Sequence, residues 1–148
     1  LDSGHAMRYP VGVGKSGKQW AGTTRIDGKY RNPAWSPPAE VKRDKPSIPN
    51  VIAGGSPANP MGVAAMTLAG GEYAIHGTNV PGSVGGFVSY GCIRMLNPDI
   101  TDLYSRVSVG TTVVVTRPDL LGRSTIDRLL RHARSAPRLV VVGAGPVR

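Results

Sequence analysis

The 148-residue chain has a single cysteine, Cys92, placed between His76 upstream and Arg94 downstream. A thiolate is a strong nucleophile, but a thiol must first lose its proton. An imidazole within reach takes that proton and returns it to a departing amine. His76 and Cys92 lie sixteen residues apart, and Gly77, Gly82, Gly85 and Gly86 between them let the chain double back. In the run Ser89-Tyr90-Gly91-Cys92, the amides of Gly91 and Cys92 are candidate donors to an oxyanion. Arg94 shares a face with Cys92 if the segment is extended, and its guanidinium suits a carboxylate held by two hydrogen bonds. Each residue also has an ordinary explanation. Cys92 is otherwise an inert buried thiol, His76 a satisfied core histidine, Arg94 a surface ion-pair partner, and the glycines loop geometry. Their joint occurrence around the only sulfhydryl favours the chemical reading.

The elements that must position these groups are mostly short strands. Ala6–Val13 and Gly22–Ile26 read as strands, the second closed by the hairpin-type dipeptide Asp27-Gly28. Residues 33–60 carry seven prolines and read as a long ordered excursion or a lid. Within it a short helix is expected near Pro38–Asp44, and Trp35 argues for order. Ala64–Leu68 and Tyr73–His76 flank Gly70-Gly71 as a hairpin, so His76 ends a strand. Ile100, Leu103, Tyr104 and Val107 fall at helical spacing after Pro98, and Thr111–Thr116 is a β-branched run expected as a buried strand. Ser124 is a candidate cap for a helix from Thr125 to about Arg134, and Leu139–Val142 is a strand or a frayed end.

Composition sets the outer bounds. Gly 20 and Pro 13 favour turns and short strands over long helices. The formal charge is +9, of which residues 117–148 hold +5 with seven Arg and two Asp. The body is therefore only mildly basic, and with aromatics at 5% it lacks stacking platforms, so no nucleic-acid partner is expected. One cysteine and three scattered histidines make no zinc site, and no metal is expected; His5 and His132 are assigned no role. No apolar run approaches the roughly 18 residues of a transmembrane segment.

The stretch Tyr73–Met95, YAIHGTNVPGSVGGFVSYGCIRM, resembles the signature of L,D-transpeptidase catalytic domains of the YkuD type. Tyr9–Lys15, the tryptophan-proline run Pro33–Glu40 and Asn59–Gly62 are similar to other family segments in the same order, and the resemblance covers roughly residues 6–116. It implies a mainly β fold, an L,D-transpeptidase-type β-sandwich or barrel-like sheet with short helices and a C-terminal helical extension. Residues 1–116 would form the catalytic domain, its first strand incomplete, and residues 117–148 an Arg-rich extension.

The resemblance also implies a reaction. Cys92 would attack a stem peptide of peptidoglycan, expel its terminal D-alanine and pass the thioester to an amine of a second stem, giving a 3→3 crosslink. His76 matches the general base, and Gly91 and Tyr90 would contribute backbone groups that orient the imidazole and bind the oxyanion. Arg94, Ser89, Gly77, Thr78 and Asn79 would line the substrate. Many members carry histidine where Tyr90 stands. Because that position mainly supplies a backbone carbonyl, activity is expected to persist with an altered pocket. Asn97 occupies a common family position and reads as a helix cap before Pro98. No cofactor is implied, carbapenem acylation at Cys92 is expected, and the work would lie in the periplasm or cell wall after export. Hydrolysis of the same thioester (an L,D-carboxypeptidase), attachment of a protein to the wall, and a non-catalytic wall-binding module stay open as alternatives.

Overall fold

A computed structural model describes residues 7–116 and the strand at 138–142. Among the described residues, eight strands and two α-helices follow in chain order: β1 (Val13–Gly14), β2 (Gly22–Arg31), α1 (Ala39–Asp44), β3 (Ala64–Leu68), β4 (Ala74–His76), β5 (Phe87–Ser89), β6 (Ile93–Arg94), α2 (Asn97–Arg106), β7 (Thr112–Thr116) and β8 (Arg138–Val142). Six of the strands form one curled sheet in the order β6-β4-β3-β2-β7-β8, and β1 pairs with β5 in a two-stranded ribbon. The ribbon joins the sheet edge where Gly12 and Arg94 exchange both backbone hydrogen bonds, at 2.7 and 2.8 Å.

The expected mainly β fold is therefore present, and the apolar pattern explains it. Ile26, Met66, Leu68, Ile75, Ile93, Val113 and Val115 alternate along their strands and point to one side. They form the core with Ile100 and Leu103, which stand one turn apart on α2 and bring that helix against β3. Asp99 lies in the first turn of α2, and Arg106 in its last turn pairs with Asp102 at 2.9 Å, both in keeping with the helix dipole.

Three expectations change, and one open alternative is decided. Asp27-Gly28 is no hairpin: β2 runs through it for ten residues, pairing with β7 in its first half and β3 in its second. The register slips by one between Ile26↔Leu68 and Gly28↔Thr67, a β-bulge. The Tyr30 ring lies over Gly28, whose missing Cβ would sit 2.5 Å from the Tyr30 hydroxyl. Of the strand expected over Ala6–Val13, whose first residue lies outside the described residues, only Val13 falls in a ladder strand, β1, which continues to Gly14 and pairs with β5. Leu139–Val142 belongs to a strand, β8, lying parallel to β7. Asn97 is not a side-chain cap for α2, which has none. The helix expected at Thr125–Arg134 lies outside the described residues.

The proline-rich excursion is ordered. Trp35 and Ile52 exchange backbone hydrogen bonds at 2.9 and 2.8 Å, which closes it into a loop, and α1 begins directly after Pro38. Asn59, only 1% exposed, ties its base: Nδ2 donates to the carbonyls of Pro33 and Ala53, and Oδ1 accepts the Met61 amide.

Candidate active site

The site is built where β4 and β6 run parallel. Ile75 pairs with Ile93 and His76 with Arg94. Ile75 and Ile93 belong to the core, so the alternating positions His76, Arg94 and Cys92 stand on the opposite face. Cys92 thus falls diagonally across from His76, beside Ala74. Its thiol is half-buried and feels the Ala74 backbone and the Arg94 guanidinium.

His76 is 4% exposed, and its Nδ1 lies 2.6 Å from the Gly77 carbonyl oxygen. A carbonyl only accepts, so Nδ1 carries the proton and Nε2 keeps its lone pair. Burial lowers the ring's pKa from 6.5 to about 4, and the Arg94 charge adds to this; the carbonyls of Gly77 and Pro60 oppose it and lose. Burial likewise raises the Cys92 thiol, against the Ala74 backbone and Arg94. Both shifts favour a neutral thiol and a neutral imidazole over a thiolate and an imidazolium.

Arg94 is held rather than neutralised. Its Nη1 donates to Ser83 Oγ at 3.0 Å, its buried Nε has no partner, and no carboxylate among the described residues pairs with it. Burial pulls its pKa below the usual guanidinium value. A desolvated cation with an unsatisfied donor is costly alone and well suited to an anionic ligand.

Several residues expected to line the substrate make hydrogen bonds that shape the loops. Ser89 is buried at 4% exposure; its hydroxyl donates to the Cys92 carbonyl at 2.6 Å and accepts the Gly91 amide at 3.1 Å. The Gly91 amide is therefore occupied, and the oxyanion role expected for it does not fit this arrangement. Thr78, 1% exposed, accepts the Val80 amide on Oγ1, and Asn79 Nδ2 donates to the Pro57 carbonyl at 3.1 Å. Gly77 supplies the carbonyl that orients His76, a part expected of the Tyr90 region. The Tyr90 side chain turns to the rim, where its hydroxyl donates to Asp44 at 2.5 Å and Lys15 Nζ sits 3.9 Å from the ring centroid.

Sequence reasoning missed the supports of the cysteine loop. Trp20 Nε1 donates to the Gly91 carbonyl at 2.9 Å, and Trp20 stacks on Tyr73 with ring centroids 4.9 Å apart. Gly91 has φ 125°, and a Cβ there would come within 2.2 Å of the Tyr73 ring. Only glycine meets both demands. Asn97 was also misread: its Oδ1 accepts the amides of Thr78 at 3.0 Å and Val63 at 3.4 Å.

Known proteins share this arrangement of sequence and fold. The probable L,D-transpeptidase YbiS of Escherichia coli K12 is 40% identical over 112 residues, covering 70% of this chain and 35% of that protein. The putative L,D-transpeptidase YkuD of Bacillus subtilis 168 is 47% identical over 62 residues, 42% of this chain and 38% of that one. The chain thus spans about a third of the length of the curated relatives it matches. In fold it is similar to an L,D-transpeptidase from Mycobacterium smegmatis, with TM-score 0.57, 23% identity, and 75% of this chain and 49% of that one covered. It is also similar to the catalytic domain from the E. faecium L,D-transpeptidase acylated by ertapenem, with TM-score 0.55, 19% identity, and coverage of 75% and 81%. With residues 1–115 matching its family description, the chain belongs to the L,D-transpeptidase catalytic domain family.

Proposed function

We propose that this domain transfers acyl groups between peptidoglycan stem peptides through a thioester on Cys92. The observation that supports the reading is the parallel register of β4 and β6, which pairs His76 with Arg94 two residues past Cys92, together with the Gly77 carbonyl that holds the proton of His76 on Nδ1. Starting from the neutral pair, sulfur attacks the carbonyl of the third stem residue while its proton passes to Nε2. The C–S bond forms, the bond to the terminal D-alanine breaks, and the imidazole gives the proton to the departing amine. An amine of a second stem then attacks the thioester, surrendering its proton through Nε2 to the leaving sulfur, and a 3→3 crosslink results.

The Cys92 amide is the backbone donor for the oxyanion, since that of Gly91 is engaged by Ser89. Arg94, half-buried and without a carboxylate partner among the described residues, binds a carboxylate of the stem. Holding the reacting groups at one face removes much of the entropic barrier. Stem peptides lie outside the cytoplasmic membrane, so the domain works in the periplasm or cell wall.

Intact-protein mass after mixing with a disaccharide-tetrapeptide, and separately with a carbapenem, tests this. The E. faecium domain acylated by ertapenem makes a carbapenem a sensible probe. Expected are an adduct on Cys92, its absence in Cys92→Ala, and a dimeric product with the natural stem. A trimmed tripeptide without dimer would indicate hydrolysis of the same thioester. No adduct with either compound would refute the reading.

A further inference from the structure

The peptide group joining Gly77 to Thr78 is used at both ends. Its carbonyl accepts the proton of His76 Nδ1 at 2.6 Å, and its N–H donates to Asn97 Oδ1 at 3.0 Å. A peptide is planar, so its C=O and N–H point in opposite directions and turn together. Whatever fixes the N–H therefore aims the carbonyl. Asn97 sits at the start of α2, a helix anchored to the core by Ile100 and Leu103, and its Oδ1 also takes the Val63 amide at 3.4 Å. Two converging N–H donors require oxygen, not nitrogen, at that position. The loops close tightly on it: a Cβ on Gly62 or on Gly77 would lie 2.3 Å from Oδ1.

We infer that Asn97 is a positioning residue for His76, acting through the Gly77–Thr78 peptide to keep the imidazole proton on Nδ1 and the lone pair of Nε2 toward Cys92. The chain of donors runs His76 Nδ1–H, Gly77 carbonyl, Thr78 N–H, Asn97 Oδ1, and each bond polarises the next. Its kinetic consequence rests on the transfer chemistry proposed above; its effect on the imidazole does not. Without Asn97, glycine at 77 leaves the peptide free to turn. The carbonyl then leaves Nδ1, and the ring relaxes toward the tautomer that neutral imidazole prefers in water, with the proton on Nε2. That tautomer presents a donor where a base is required.

The test compares the wild-type chain with Asn97→Ala and Asn97→Asp. Nitrogen-15 NMR of the His76 ring reports which nitrogen is protonated. Carbapenem acylation followed by intact mass reports rate. In wild type, Nδ1 is protonated and Nε2 bare. Asn97→Ala is expected to move both ring nitrogens toward a mixed tautomer and to slow acylation roughly tenfold, the rate equivalent of one hydrogen bond. Asn97→Asp keeps an acceptor, so it retains the wild-type tautomer while its negative charge moves the acid limb of acylation to higher pH. Unchanged ring nitrogens in Asn97→Ala overturn the inference whatever the rate, because a merely structural role lowers stability without changing the tautomer. If Asn97→Ala does not fold, Asn97→Asp decides: wild-type nitrogens with a raised acid limb support the inference, and a free-imidazole pattern overturns it. Failure of the wild-type chain to acylate would sink the transfer chemistry and leave the tautomer comparison intact.

Discussion

The buried, neutral imidazole should make the fold acid-sensitive by an amount that can be isolated. His76 titrates near 6.5 when unfolded and at about 4 in the folded chain, chiefly because burial disfavours its charged form. Between those values the unfolded chain binds a proton that the native chain does not, so stability rises with pH across that window. His76 therefore imposes no penalty above about pH 7, an increasing one as pH falls from 6.5 to about 4, and a constant one below. A pKa unit corresponds to about 1.4 kcal/mol, so the whole interval amounts to about 3 kcal/mol, a large share of the 5–15 kcal/mol typical of a domain. The assay is urea unfolding of wild type and His76→Gln at a series of pH values from 7.5 to 3.5. Glutamine keeps a donor for the Gly77 carbonyl and does not titrate. His5 and His132 are present in both proteins and cancel in the difference. The wild-type curve should lose about 3 kcal/mol relative to the variant between pH 6.5 and 4. Parallel curves would refute the claim that His76 is held neutral by burial. Acylation supplies a second readout: a base that stays unprotonated to about pH 4 should keep working at pH 5, where a free histidine is mostly charged.

Gly91→Ala should cost about 2 kcal/mol or more, from the strained φ and the contact with Tyr73, by thermal or urea unfolding. Adding Tyr73→Ala should recover the steric part, with a coupling above about 0.5 kcal/mol; strict additivity would show that the ring is not the obstacle. Trp20→Phe removes the hydrogen bond to the Gly91 carbonyl and should lower stability by about 1 kcal/mol and slow carbapenem acylation several-fold; an unchanged rate would separate that bond from the orientation of the loop. Tyr90→Phe should acylate within a few-fold of wild type, because the Tyr90 hydroxyl reaches Asp44 at the rim and not the sulfur. In the same variant the Asp44 carboxyl, held low first by that hydroxyl, should titrate closer to the ordinary range by NMR. Near-total loss of acylation would bring the hydroxyl into the chemistry.

What could be read from the sequence was local. Strand β3 at Ala64–Leu68, helix α2 with Pro98 in its first turn and the β-branched strand β7 announce themselves by periodicity and composition. Gly70-Gly71 gives a turn with positive φ at both residues, and the cysteine motif follows from residue types at short spacing. Asp27-Gly28 misled because a hairpin turn and a β-bulge can both hold a glycine, and only the partner strands distinguish them. Trp20 reaches a carbonyl seventy-one residues away, and nothing near it in the chain marks that contact. Asn59 likewise makes a pattern of four groups that no dipeptide signals.

Asn97 is the instructive case, because its type and position were both visible. Asparagine directly before proline at a helix start has a ready local use, and that use hid a long-range one. A cap oxygen serves amides of its own helix. This oxygen instead serves Thr78 and Val63, which belong to segments that meet only after β3, β4 and β6 have paired. The proposed base is made by the same assembly. Burial keeps the imidazole neutral, the Gly77 carbonyl selects its tautomer, and the β4–β6 register sets His76 against Arg94, two residues past the sulfur. None of the three is a property of histidine at position 76 alone. A short peptide spanning His76–Arg94 would hold every residue of the motif and yet have an imidazole titrating near its ordinary value, with no fixed tautomer and no preferred approach to the thiol. The catalytic competence proposed for this chain therefore depends on the folded sheet as much as on the residues named in its motif.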